Sequence, residues 1–353
     1  MSLKRFPQLD GLRALAVGCV MAYHFIPGVD RYAPLGAIGV RLFFVISGFL
    51  ITRILLASRA VEMPVALRSF YIRRGIRIFP LFYLVLALAA AINIGPVRET
   101  IGWHVTYLTN LYLFNRGSWQ GSISHLWSLA VEEQFYLVWP FLVLMVPERR
   151  LPAVILSMIA VAPLSRLLAG GPMNSVLPLG CVDALGAGAL LAFPSMRRWT
   201  MAVGAWIGVP LMMTAIAIRY VGHWGVALEI ALDFGTSLTA AWLVGSAARG
   251  FSGAIGALLI ARPVAYAGRI SYGLYLYHGF MPYVLGRYVS AFADVPVMAR
   301  ATMLVVATAV TASVSWRLFE SPILQFKDRH SISNQPSDIR NRVLLASPSS
   351  RPW

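Results

Sequence analysis

The sequence predicts an all-α polytopic membrane protein of about ten transmembrane helices, with N- and C-termini cytoplasmic. Three observations predict it. Of the 353 residues, 58% are hydrophobic and only 12% charged, against about 45–50% and about 25% in an ordinary soluble domain. That excludes a soluble single domain, a disordered chain and a disulfide scaffold. Apolar stretches of the length a bilayer demands, about 20 residues, recur along the whole chain. The basic residues exceed the acidic ones by 30 to 14, a net charge of +16, and they lie between the apolar stretches. There they orient a chain in a membrane, so no nucleic-acid partner is expected.

The stretches fall at 11–29, 37–57, 75–94, 126–146, 152–169, 176–193, 201–219, 226–247, 269–288 and 297–319. The first follows Lys4 and Arg5 but contains Arg13 and His24 and has no plain small-residue cleavage site. It therefore reads as a membrane helix and not as a cleaved leader. The interruption at 95–125 is too short for a domain. Its Trp103, His104, Tyr107 and Trp119 suit the interface or a re-entrant segment. With the N-terminus inside, the inner loops hold Arg59, Arg68, Arg73, Arg74, Arg77, Arg149, Arg150, Arg197, Arg198, Arg249 and Arg262. The outer connections hold little beyond Arg31, Arg98, Arg116, His223 and Asp294. Residues 1–325 form one transmembrane domain. Residues 326–353, rich in Ser, Pro, Asn and Arg, read as a disordered cytoplasmic tail. Cys19 and Cys181 lie inside apolar stretches without ligand spacing, so both read as small hydrophobes and no metal is expected.

An ionisable residue inside a span is costly and marks a functional candidate. Arg13 and His24 are eleven residues apart, about 20° from a whole number of turns, and so share one helix face roughly 16 Å apart. The bland alternative is a snorkelling arginine and a structural histidine. On the fourth span Ser128 and Glu132 are i,i+4 neighbours, with Glu133 beside them. By topology these carboxylates share the depth of His24, which would set a carboxylate beside a histidine base. The alternative is an ion pair locking two helices. Arg73, Arg74 and Arg77 crowd the second inner loop. On a helix they would present guanidinium forks suited to phosphate, although any inner loop collects arginine. His278 falls within the ninth span and could line the same cavity. Asp183, among Gly180, Gly186 and Gly188, reads as a helix-locking or pore residue. Glu229 and Asp233, i,i+4 on the outer part of the eighth span, could bind sugar hydroxyls.

These residues fall in stretches that resemble the acyltransferase 3 family of integral-membrane O-acyltransferases. The resemblance runs from Leu9-Asp10-Gly11-Leu12-Arg13-Ala14 to about Glu320. It includes the Arg13–His24 spacing and Leu42-Phe43-Phe44-Val45-Ile46-Ser47-Gly48-Phe49-Leu50-Ile51-Thr52. Arg74-Gly75-Ile76-Arg77 follows, then His125-Leu126-Trp127-Ser128-Leu129-Ala130-Val131-Glu132-Glu133-Gln134-Phe135-Tyr136 and Ile270-Ser271-Tyr272-Gly273-Leu274-Tyr275-Leu276-Tyr277-His278. Each motif is weak alone; in this order on ten spans they are specific.

The resemblance implies transfer of an acyl group, usually acetyl, from cytoplasmic acyl-CoA to a hydroxyl of a surface or lipid-linked glycan. It implies that Arg13, His24, Arg74, Arg77, Ser128, Glu132 and Glu133 are the essential positions. The expected roles are catalysis by His24, Glu132 and Glu133, support from Arg13 and Ser128, and donor binding by Arg73, Arg74 and Arg77. Ser128 is expected to hydrogen-bond a carboxylate. Two departures from the family pattern stand out: Arg41 occupies a position where many members have Asp, and the esterase-like extracytoplasmic domain that some relatives append is not expected after the last span. No bound cofactor is expected, and acyl-CoA enters as a substrate. The expected location is the inner (plasma) membrane, multi-pass. The alternatives are acylation of a small molecule such as a macrolide, or proton-coupled transport. Transport is disfavoured by the lack of repeated halves and paired broken helices.

Overall fold

The computed structural model describes residues 6–169 and 173–325; the expected tail at 326–353 lies outside them. Every described element is helical. In order these are α1 (Pro7–Phe25), α2 (Leu35–Ser58), α3 (Met63–Ala91), α4 (Val97–Val105), α5 (Thr109–Arg116), α6 (Leu126–Met145), α7 (Leu151–Ala169) and α8 (Val182–Leu190). There follow α9 (Pro194–Val203), α10 (Val209–Tyr220), α11 (Val226–Arg249), α12 (Gly253–Ile260), α13 (Arg262–Arg269), α14 (Ser271–His278), α15 (Met281–Tyr288) and α16 (Val297–Ser315). A π-turn at Gly204–Gly208 joins α9 to α10, and another at Trp316–Glu320 carries α16 onward to Gln325.

Among the described residues, seven helices are long and apolar enough to cross a membrane: 35–58, 63–91, 121–145, 148–169, 194–220, 226–249 and 297–325. The chain is a multi-pass membrane protein. The remaining three expected spans take other forms. The stretch 11–29 becomes α1, which starts earlier and carries Asp10 and Arg13 near its beginning. The stretch 176–193 is not one helix. Two 3₁₀ turns around Pro178 lead into α8, whose nine residues extend only about 13 Å. The stretch 269–288 breaks into the end of α13, then α14 and α15, at Ile270 and Gly279.

The arginine cluster also differs from expectation. Arg68, Arg73, Arg74 and Arg77 lie on α3 and not in a loop. Pro64 in the first turn supplies a pre-set φ, and alanine, leucine and arginine are spread along the helix. The interruption at 95–125 folds as α4 and α5, two short helices outside the candidate spans.

The centre of the bundle is α8, every residue of which is buried. Its closest neighbour is α2. A Cβ on Gly48 would strike the carbonyl of Leu185, and one on Gly188 would strike the carbonyl of Val45. Two glycines facing opposite backbones allow the helices to touch, the small-residue device of membrane packing. Ser47 is thereby fixed beside the site described next.

Candidate active site

Three cavities follow one another along α1. The first, about 370 Å³, is lined from α1 by Leu9, Asp10 and Arg13. The second, about 100 Å³, touches α1 at Arg13 alone. The third, about 420 Å³, is lined by Val20, Tyr23 and His24. The antiparallel α2 runs through the same series in reverse, with Leu50 in the first, Ser47 and Phe43 in the second and Gly36 in the third. Arg13, Arg77 and Tyr272 border both the first and second cavities. Val40, Phe44 and Tyr275 border both the second and third. Arg13 and His24 thus share a helix face, as their spacing predicts, and each faces a different end of the series.

The first cavity gathers Arg13, Arg77 and Arg269 with Asp10 and Glu320. Arg13 donates to Asp10 at 3.1 Å. The second holds Arg74, Arg77, Ser128, Glu132 and Glu133. Arg74 lies over the Tyr136 ring at 5.4 Å. The third partner of the expected donor cluster, Arg73, faces away and donates to Ser69 on its own helix.

Glu132 does not meet His24. It accepts a hydrogen bond from Ser47 at 2.6 Å, one cavity away from the histidine. Glu133 lines the same second cavity. The carboxylates and His24 do not share a cavity: Glu132 and Glu133 line the second and His24 the third, with Val40, Phe44 and Tyr275 lining both. Nor does Ser128 bind a carboxylate. Its hydroxyl lies 2.5 Å from that of Tyr275, which donates to the carbonyl of His125 at 2.9 Å.

In the third cavity, Nδ1 of His24 lies 2.9 Å from the carbonyl of Val20. A carbonyl only accepts, so the proton is on Nδ1 and Nε2 keeps a free lone pair. Arg41, Asp233, Trp119 and Trp127 form part of the wall. Arg41 pairs with Asp233 and, at 3.2 Å, with Asp183. Arg166 reaches Asp183 at 2.7 Å and Asp233 at 3.8 Å. This neutral quartet joins α2, α7, α8 and α11. Asp183 is wholly buried in it and lines none of the three cavities, in keeping with helix locking. Glu229 is exposed and lines none of them either. His278 sits fully buried behind His24, their rings 5.0 Å apart.

Sequence reasoning passed over Ser47, Arg269, Tyr275 and His125. The histidine could have been found, since a histidine at the head of an apolar span already signals cost. Ser47 carries no such signal; only the α2–α6 approach reveals it.

Cationic and carboxylate side chains around adjacent cavities, with a free imidazole nitrogen at one end, define a membrane protein built for group transfer. The chain belongs to the acyltransferase domain family, acyltransferase 3, which it matches over residues 6–319. It is similar to YrhL of Bacillus subtilis, 31% identical over 90% of this chain and 54% of the relative. It is also similar to the peptidoglycan O-acetyltransferase OatA of Listeria monocytogenes, at 29% over 91% of this chain and 56% of the relative. The O-acetyltransferase OatA of Staphylococcus aureus is 28% identical over 98% of this chain and 62% of the relative. The chain thus spans between half and two thirds of the length of these relatives. No solved structure is significantly similar to it.

Proposed function

We propose that the chain is a membrane O-acyltransferase. It would take an acyl group, acetyl in the expected case, from cytoplasmic acyl-CoA and transfer it to a hydroxyl of a surface or lipid-linked glycan. The single observation that carries the reading is the file of three cavities, with arginines at one end and His24 at the other. The relatives named as O-acetyltransferases support the acyl group and the glycan class.

In this reading the Arg13 end faces the cytoplasm, as the arginine-rich connections require. Counting α1 and the divided stretches 176–193 and 269–288 as crossings, the chain would cross the plasma membrane about ten times, with both termini inside. Arg74 and Arg77 would hold phosphates of the donor, because planar guanidinium forks match phosphate oxygens in pairs. The thioester would then reach through the second cavity to the partition at Tyr275. The acceptor would occupy the third cavity against Trp119, with Asp233 and Arg41 placed to hydrogen-bond its hydroxyls.

His24 would act as the general base. Its Nε2 takes the proton of the acceptor hydroxyl, and the oxygen forms a bond to the thioester carbonyl carbon. The carbon–sulfur bond breaks, and the proton ends on the released thiol. Ser128 is hydrogen-bonded to Tyr275 and to no carboxylate or imidazole, which favours direct transfer over an acyl-enzyme on serine.

Purified protein in detergent, given acetyl-CoA and a chito-oligosaccharide, tests the reading. Transfer should occur, and His24→Ala should lower it about 10²–10⁴-fold, the usual weight of a positioned base. Near-wild-type turnover in that variant would remove His24 from the chemistry.

A further inference from the structure

Two imidazoles behind His24 have no part in the reaction described above. The rings of His24 and His278 are 5.0 Å apart, and those of His278 and His125 are 4.9 Å apart. They come from three separate places: the end of α1, the end of α14 and the residue before α6. One nitrogen of each ring faces a backbone carbonyl. For His24 this is Nδ1 with Val20 at 2.9 Å, for His125 Nε2 with Leu276 at 3.1 Å, and for His278 Nδ1 with Tyr275 at 2.5 Å. Each of those nitrogens must carry the proton, so the other nitrogen of each neutral ring is a lone pair.

The lone pairs of His125 and His278 are buried and have no hydrogen-bond partner. Buried acceptors are nearly always satisfied, so an empty one calls for an explanation. Metal ligation does not supply it. Among the described residues no three His, Cys, Asp or Glu side chains are arranged to hold an ion. A transient donor does supply it. His24 has no proton on Nε2 at rest and gains one only when it acts as base.

We propose that His278 is the positioning partner of His24, its Nε2 accepting a hydrogen bond from the imidazolium that forms when His24 takes up the acceptor's proton. The inference rests on the reading of His24 as base. In the step, the acceptor O–H bond breaks and the Nε2–H bond of His24 forms. That N–H is shared between the acceptor oxygen and His278 as a three-centre bond. When the thiolate takes the proton, both rings return to neutral. His125 holds the partner ring in place, edge-on to it, and its position requires glycine at 279, where a Cβ would collide with the His125 ring.

The titratable and charged groups facing the pair are His125, Tyr275 and Tyr23, with Arg41, Asp233 and Arg219 across the cavity. Arg41 and Asp233 are already paired with each other, and only His125 and His278 offer a free imidazole nitrogen to His24.

The test is the pH–rate profile of purified full-length protein with acetyl-CoA and a chito-oligosaccharide. His278→Phe keeps a ring of similar size but has no lone pair. Its kcat should fall about ten- to a hundredfold, the weight of one hydrogen bond to a charged group, with both KM values unchanged. The acid limb should move to lower pH by about one unit or more, because the protonated base has lost its partner. His278→Gln restores an acceptor and should recover most of the rate and the position of the limb. If the phenylalanine variant does not fold, His278→Leu takes its place. A lone-pair-free variant that keeps the wild-type limb, or a glutamine variant that falls as far as phenylalanine, overturns the proposal. His24→Ala, run alongside, separates the two readings. If it is inactive while His278→Phe is normal, only the partnership fails. If it is active, the base assignment fails as well.

Discussion

Replacing Asp183 by asparagine should loosen the wall of the third cavity without altering any residue that lines it. Asp183 accepts from Nη1 of Arg41 at 3.2 and 3.3 Å, from Arg166 at 2.7 Å and from Ser237 at 3.2 Å. The four charges of the quartet sum to zero. Asparagine has the same size but leaves two guanidinium groups, both buried, facing Asp233 alone. Breaking a buried pair in this way costs about 3–5 kcal/mol. The asparagine oxygen still accepts one bond, so the lower end applies, about 3 kcal/mol or roughly a hundredfold in the folding equilibrium. Thermal unfolding in detergent reads the loss directly. The double change Asp183→Asn with Arg166→Gln restores neutrality and should recover at least half of it, as coupled neighbours do. Because Arg41 and Asp233 lose their anchor, the acceptor KM should rise in the single variant while the donor KM stays fixed. An asparagine variant that melts with the wild type would refute the view that the quartet is buried and balanced.

Arg74→Lys and Arg77→Lys should each raise the KM for acyl-CoA about ten- to a hundredfold, since lysine cannot copy the paired bonds, whereas Arg73→Ala should leave it unchanged. Kinetics with varied acyl-CoA decide this, and a rise in the acceptor KM instead would place the donor elsewhere. His104, on α4, is buried between Thr100 and Thr109 at 2.8 Å each, and burial holds its imidazole at about 4 instead of near 6.5. A histidine depressed in the fold gives stability that is full above about pH 6.5 and is lost as the pH falls toward 4, by up to about 1.4 kcal/mol per unit. Melting curves between pH 7 and 4 should therefore be steeper for the wild type than for His104→Gln. Single cysteines at 73 and 197 should react with an impermeant label only from the cytoplasm, and those at 30 and 294 only from outside; the reverse pattern would invert the topology.

The sequence carried the helical class and most spans, because a bilayer imposes one length and one polarity on every crossing helix. It misjudged the stretches that do not face lipid. α8 is as apolar as a span, yet it is enclosed by protein, and an enclosed helix need not match the bilayer thickness. The ninth stretch likewise gave no sign that Ile270 and Gly279 would divide it, since hydropathy is blind to the α1 contacts that hold α13 and α14. At the site, the shared face of Arg13 and His24 and that of Ser128 and Glu132 were legible from helix geometry alone. The partners were not. Glu132 finds Ser47 and Ser128 finds Tyr275 because α2 and α14 bring those hydroxyls near, and contacts between distant segments leave no local periodicity. Arg73 looked equivalent to Arg74 and Arg77 by its i,i+4 spacing to Arg77; on α3 it bonds Ser69 and lines none of the three cavities.

The three side chains between the second and third cavities have an electrical consequence. Val40, Phe44 and Tyr275 line both the second and the third cavity, and where two cavities share a wall the insulating layer of a membrane protein is thinnest. A membrane potential drops where the insulator is, so in the proposed orientation most of the voltage falls across this partition. A unit charge carried through it does work of about 2.3 kcal/mol per 100 mV. Acyl transfer moves the negative charge from the acceptor oxygen to the sulfur, and the proton held by His24 follows it to the thiol, so the completed exchange carries no net charge across the partition, whereas a stray proton would feel all of that work. Tyr275, held from both sides by Ser128 and the carbonyl of His125, is therefore placed where acyl transfer can be electrically silent while the proton gradient stays intact.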